Sequence, residues 1–218
     1  MRNIINSNLR ISVYNALVNS HLSYAISVWG NGANVIKLKP LFVLQKKCLR
    51  NLFKIRRESK LIRGHTKSTF NENKILTVHN LYTYFTLTSV ASLHLRKNPI
   101  YLYDLLKIEE SKHRMFIPLL STNHYQNNFL YQGPKLWNLV VPFIKDKKFN
   151  LPLTLSAFKY RFKKFILRMQ TDEPVNEWVN TNFSVEMFIT KSKNDPYTYY
   201  ESMHTTAMES ISFVLESS

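Results

Sequence analysis

Four glycines in 218 residues leave almost nothing from which to build a phosphate-cradling loop, and neither GxxxxGK[ST] nor GxGxxG occurs. Nucleotide-fold enzymes lose most of their weight on that count. Cys48 is the single cysteine, which excludes an internal disulfide and a CxxC zinc site and fits a reduced compartment. The seven histidines, His21, His65, His79, His94, His113, His124 and His204, form no HExxH and no pair at ligand spacing, so no metal or cofactor is expected. No GxSxG and no Cys-His constellation can be found, and the acid pairs Glu109-Glu110 and Asp172-Glu173 lie in polar text rather than on an apolar strand. Two-metal chemistry needs clustered carboxylates, so no catalytic residue is expected and this chain alone should catalyse nothing. Long apolar runs are missing too. The stretch Val13 to Trp29 is interrupted by Asn15, Asn19, Ser20, His21, Ser23 and Ser27, and the opening MRNIINSNLRIS is too polar for a secretory signal. The expectation is an intracellular protein, nuclear or cytoplasmic, that is neither secreted nor held in a membrane.

Acidic side chains are scarce: 14 Asp and Glu stand against 30 Lys and Arg, a formal net charge of +16. Self-repulsion at that level disfavours compaction unless a polyanion relieves it. The imbalance is uneven, because residues 171–218 hold only Lys191 and Lys193 against eight acids. Three regions are expected: a helical bundle over 1–64, a helical extension over 65–170, and an acidic, loosely ordered tail over 171–218. The fold class is mainly α.

Helical periodicity carries most of the organisation. Ser7 or Asn8 can cap a helix through LRISVYNALVNSHLSYAISVW, with Leu9, Val13, Leu17 and Tyr24 among its apolar positions, and Gly30-Asn31-Gly32 supplies a stop. Core packing is expected for Tyr14, Tyr24, Trp29 and Trp137. In the next helix, 100° steps place Leu41, Leu44, Cys48, Leu52 and Ile55 on one stripe and Lys46, Lys47, Arg50, Lys54 and Arg57 opposite. No acid lies between Lys37 and Arg57 to relieve the mutual repulsion, which favours a phosphate-binding face over an ordinary solvated one. Residues 58–74 read as a polar loop that adds Arg63 and Lys67 to the basic zone. Residues 75–97 show apolar spacing on two faces, Leu81, Phe85 and Ser89 on one and Tyr84, Leu87, Ala91 and Leu95 on the other, as expected at the centre of a bundle. Residues 109–134 read as short strands around Pro118 or a loop, and Gly133-Pro134 as a breaker before a brief helix. LSAFKYRFKKFILRMQ repeats the basic amphipathic logic: Leu155, Phe158, Phe162, Phe165 and Met169 make a stripe flanked by Lys159, Arg161, Lys163, Lys164 and Arg168.

Four blocks taken in order resemble the region after the catalytic palm in reverse transcriptases of non-LTR retrotransposons, the jockey-like and related LINE elements. They are YNALVNSHLSYAISVWG (14–30), LQKKCLRNL (44–52), HTKSTFNENKILTVHNLY (65–82) and GPKLWNLVVPFIK with LSAFKYRFKKFIL (133–145 and 155–167). The family's YxDD metal-binding loop does not occur in these 218 residues. The resemblance implies that residues from about 8 to 57 are a thumb gripping the template and primer, and that the remainder is a post-polymerase extension that helps to hold element RNA or target DNA. The expected partner is RNA or an RNA/DNA duplex, contacted at its phosphates by Lys46, Lys47, Arg50, Lys54, Arg57, Arg63, Lys67, Lys159, Lys163 and Lys164 without base reading. The alternative is a helical protein-interaction or structural module docked on an acidic partner. No small-molecule substrate is expected.

Overall fold

A computed structural model describes residues 6–24, 26–30, 35–54, 66–97, 104–106, 108–109, 114–118, 128–144 and 154–172. Among these the chain is mainly helical. The elements are α1 (Ser7–Tyr14), a π-helical turn (Asn15–Asn19), α2 (Ser20–Ser23), α3 (Ile26–Trp29), α4 (Val35–Phe53), α5 (Thr66–Glu72), α6 (Val78–Arg96), α7 (Phe129–Ile144) and α8 (Leu155–Asp172). A two-residue antiparallel ladder pairs β1 (Ile108–Glu109) with β2 (Arg114–Met115). No described helix is long and apolar enough to cross a membrane. The acidic tail from 173 onward lies outside the described residues.

The central helix is α6, as its two-faced apolar spacing requires. It packs against α2, α3, α4, α7 and α8 and buries polar positions such as His79, Asn80 and Thr86 as well as Leu81, Leu87 and Val90. The Thr77 hydroxyl caps its start by accepting from Asn80 N at 3.3 Å, a contact type that contributes about 1 kcal/mol. At the other end Lys97 turns left-handed, φ 49°, and its N–H donates to Leu93 O. One cluster of buried side chains runs from Tyr14 to Ile166 and so draws on both sides of position 64.

On α8, Phe158 stacks on Trp137 (ring centroids 5.8 Å apart) and Phe162 stacks on Tyr84 (5.9 Å). These contacts fasten α8 to α7 and α6 and use the stripe that the spacing defines. Gly133 lies where α6 and α7 approach closely: a Cβ there would stand 2.9 Å from Val90 Cγ2.

Two buried glutamines hold the extended segment before α6 from opposite sides. Gln170 on α8 accepts from Thr77 N (3.2 Å) and donates to Ile75 O (3.0 Å). Gln45 on α4 accepts from Val78 N (3.0 Å) and donates to Leu76 O (2.9 Å). Each carboxamide satisfies one N–H and one C=O, as a neighbouring strand would, so four buried backbone groups are paired without a sheet. Asn138 brackets Met115 in the same way, donating to its carbonyl at 2.7 Å and accepting from its N–H at 2.8 Å.

Several expectations need correction. The first helix is not continuous: the π turn and the extended Tyr24 (ψ 118°) break it. A π turn takes more residues than an α turn, so the inward face rotates to Tyr14, Leu22 and Ile26, and Leu9, Leu17 and Tyr24 are exposed, Tyr24 at 80%. The cap position is Asn6, without a side-chain bond. The polar stretch ending at Lys74 contains α5, because Phe70 is fully buried beside Phe42, with centroids 6.0 Å apart; tertiary burial outweighs weak local propensity. Gly133-Pro134 does not break α7. Asn128 starts the helix by accepting from Leu130 N, and burial of Leu136, Trp137, Val140 and Val141 offsets the hydrogen bond that Pro134 cannot donate.

Candidate nucleic-acid interface

The buried stripe of α4 is not the one its leucines suggest. Leu38, Phe42, Gln45 and Leu49 face the core, while Leu44 is 54% exposed. Gln45 is the reason. Its amide is drawn inward by the Ile75–Val78 segment and by the Tyr14 hydroxyl, to which it donates at 2.7 Å. The stripe therefore turns by about one position, and the cationic row turns with it.

Lys46 is the clearest consequence. It is half-buried at the edge of the core, with its ammonium 4.3 Å above the Phe42 ring. Burial lowers its pKa, and the neighbouring charges of Arg50 and Lys39 lower it further. Lys39, Lys46 and Arg50 recur at steps of seven and four, so they share one row. Lys39 is a member that sequence reasoning omitted. Lys47 is exposed a quarter-turn or so beyond, and Lys54 closes α4 in a left-handed conformation, φ 52°. Lys67 is half-buried on α5. Arg57 and Arg63 lie outside the described residues.

The cations of α8 are all exposed, yet they divide into two rows. Lys159 and Lys163, four residues apart, form one; Arg161, Lys164 and Arg168, at steps of three and four, form another on the far side of the apolar stripe. Lys164 is thus separated from the other two expected contacts on its helix. No acid occurs on α4, and Asp172 is the one acid on α8, four residues beyond Arg168; the α4 row and the row of Lys159 and Lys163 therefore have no acid at helical pairing distance within their own helix.

Lys74 is a second residue that sequence reasoning missed. α5 ends in a Schellman motif: Ile75 N donates to Phe70 O (2.8 Å) and Lys74 N to Asn71 O (3.0 Å). Lys74 holds the left-handed position, φ 52°, where glycine is usual. Together with Lys163 it borders a cavity of about 190 Å³ between the π turn, the start of α6 and α8. A lysine in place of glycine gives no signal in a single sequence, so this position could not be singled out.

Buried beneath Lys46 is His79, whose ring meets Phe42 edge-on at 5.5 Å. Neither of its nitrogens has a hydrogen-bond partner among the described residues. Burial, with a smaller push from Lys46, lowers its pKa to about 4, so the ring is neutral at physiological pH.

No protein-family model, curated protein or solved structure matches the chain.

Proposed function

We propose that this chain binds the phosphate backbone of RNA or an RNA/DNA duplex, as a non-catalytic thumb and post-polymerase region of a non-LTR retrotransposon reverse transcriptase. The observation that carries the reading is the α4 row, where Lys39, a half-buried Lys46 and Arg50 share one line and the Lys46 pKa is lowered by burial first and by the charges of Arg50 and Lys39 second. An anion placed along such a row lowers the repulsion between its cations, and a phosphate backbone supplies anions at regular spacing. The exposed pair Lys159 and Lys163 offers a second set of contacts on another helix.

Binding is driven by counterion release. With about six cations on phosphates, log affinity falls against log salt with a slope of about −4 to −5. Filter binding of RNA across a salt series tests this; a flat line removes the reading. A second reading, a helical module whose basic faces dock on an acidic partner protein or on the chain's own tail, draws on the eight acids against two lysines of residues 171–218. Deleting residues 171–218 separates the two. Tighter RNA binding with an unchanged fold supports the polymerase reading, whereas looser helices in hydrogen exchange support docking of the basic faces on the chain's own tail.

A further inference from the structure

The cavity beside Lys74 combines features that no purely structural gap requires. Its border includes two aromatic residues, Tyr84 and Phe85, two lysines, Lys74 and Lys163, and two asparagines, Asn15 and Asn19. Phe162 stacks on Tyr84 and Phe85 stands edge-on to it at 5.5 Å, so the aromatic wall is braced from two sides. Asn15 and Asn19 open and close the π-helical turn, a distortion that is rare in helices and frequent at functional sites. At about 190 Å³ the space is smaller than the roughly 300–1,000 Å³ of pockets that enclose drug-sized ligands. It suits one ring.

A non-glycine residue in the left-handed region is strained by about 1 kcal/mol or more, and the Schellman position would accept glycine without that cost. Lys54 and Lys97 take the same conformation at the ends of α4 and α6; what is particular to Lys74 is that it brings a second cation to the border of the cavity.

We infer that this cavity receives a single nucleotide, its base against Tyr84 and Phe85 and its phosphate between Lys74 and Lys163. The carboxamides of Asn15 and Asn19 are donors and acceptors for the base edge. This deepens the backbone-binding reading and rests on it: the strand runs along the cations while one unstacked base enters the cavity. Stacking of a base on an aromatic ring is worth about 1–3 kcal/mol, and a nucleoside monophosphate carries the same chemistry whether free or within a strand.

The test uses the full chain and a short single-stranded RNA carrying one 2-aminopurine, whose fluorescence falls when the base stacks. Strand binding is followed in parallel by anisotropy. The expected result is quenching on binding, partly reversed by adenosine monophosphate while anisotropy stays high. Free 2-aminopurine riboside monophosphate distinguishes the sources: quenching of it as well points to free nucleotides as ligands, and quenching within the strand alone points to the polymer. Lys74→Gly together with Lys163→Ala shifts the quenching midpoint by about tenfold, while Lys74→Gly alone leaves the melting temperature unchanged or higher. A structural lysine would not produce that combination. A strand that binds with the steep salt slope while its 2-aminopurine stays as bright as in free RNA overturns the pocket and leaves the backbone reading standing. Absence of strand binding removes both. If the double variant does not fold, quenching and its reversal in the unaltered chain decide the matter.

Discussion

On α8 every cation stands clear of the apolar stripe, whereas on α4 the cationic row begins at the edge of the core, with Lys46 over Phe42. The two helices share a sequence pattern and differ in what the charges cost the fold. An exposed lysine can be exchanged with little effect on stability, because water solvates it equally well in both states. A half-buried one is already penalised by desolvation and by its neighbours, so an arriving anion relieves more there. Under the proposed function, binding on α4 is therefore coupled to folding stability, and binding on α8 is close to independent of it.

The largest expected effect comes from cutting the attachment that the two helices have in common. Gln45→Ala leaves Leu76 O, Val78 N and the Tyr14 hydroxyl without that partner, and Gln170→Ala does the same to Ile75 O and Thr77 N. At about 1–3 kcal/mol per stranded buried group, each variant should lose about 3 kcal/mol or more in urea titration. A loss below about 1 kcal/mol for either would mean that its helix does not depend on the amide.

Acid comes next, and it acts on the α4 side, where Lys46 faces His79. The imidazole has a reference pKa of 6.5 and about 4 in the fold, so folding favours its neutral form. That contribution is complete above pH 6.5 and is lost as pH falls through 6.5 toward 4. The total is about 3 kcal/mol. His79→Leu should flatten this acid limb in melts between pH 7 and 4; an unchanged limb would assign acid sensitivity to other groups.

The salt slope then sharpens the contrast directly. Lys159→Ala with Lys163→Ala should lower its magnitude by somewhat under two, with stability held within about 0.5 kcal/mol. Loss of stability instead would place those lysines in the same class as Lys46. The smallest effect is expected for Lys46→Met, which keeps an apolar stem over Phe42 while removing the desolvated charge and the cation–π contact. Its stability should move by no more than about 1 kcal/mol, and the slope should fall by about one unit. Lys47→Met should change only the slope.

Legibility followed the regularity of the apolar side. α8 could be read almost residue by residue because Phe158, Phe162 and Met169 are both apolar and buried. α6 announced its central place through apolar spacing on two faces. α4 misled because its inward row includes a glutamine, and an amide satisfied by a distant backbone looks polar in a sequence. The π turn and the lysine-capped Schellman motif are choices made by tertiary contacts, and local text does not encode them. The residues that carry the family resemblance, among them Tyr14, Gln45, Gly133, Trp137 and Asn138, have architectural roles here: core packing, backbone pairing and close helix approach. The cations of the interface were found by charge alone, which locates a row without saying how deeply each member is set.

The double amide grip on residues 75–78 also dictates when the molecule can close. Gln170 lies 93 positions beyond Thr77, so during synthesis the segment waits, half-paired through Gln45, until α8 has left the ribosome. Contacts of such long sequence separation make folding slow and late. A chain cut before α8 would keep α1 to α7 but leave the thread between them open on one side.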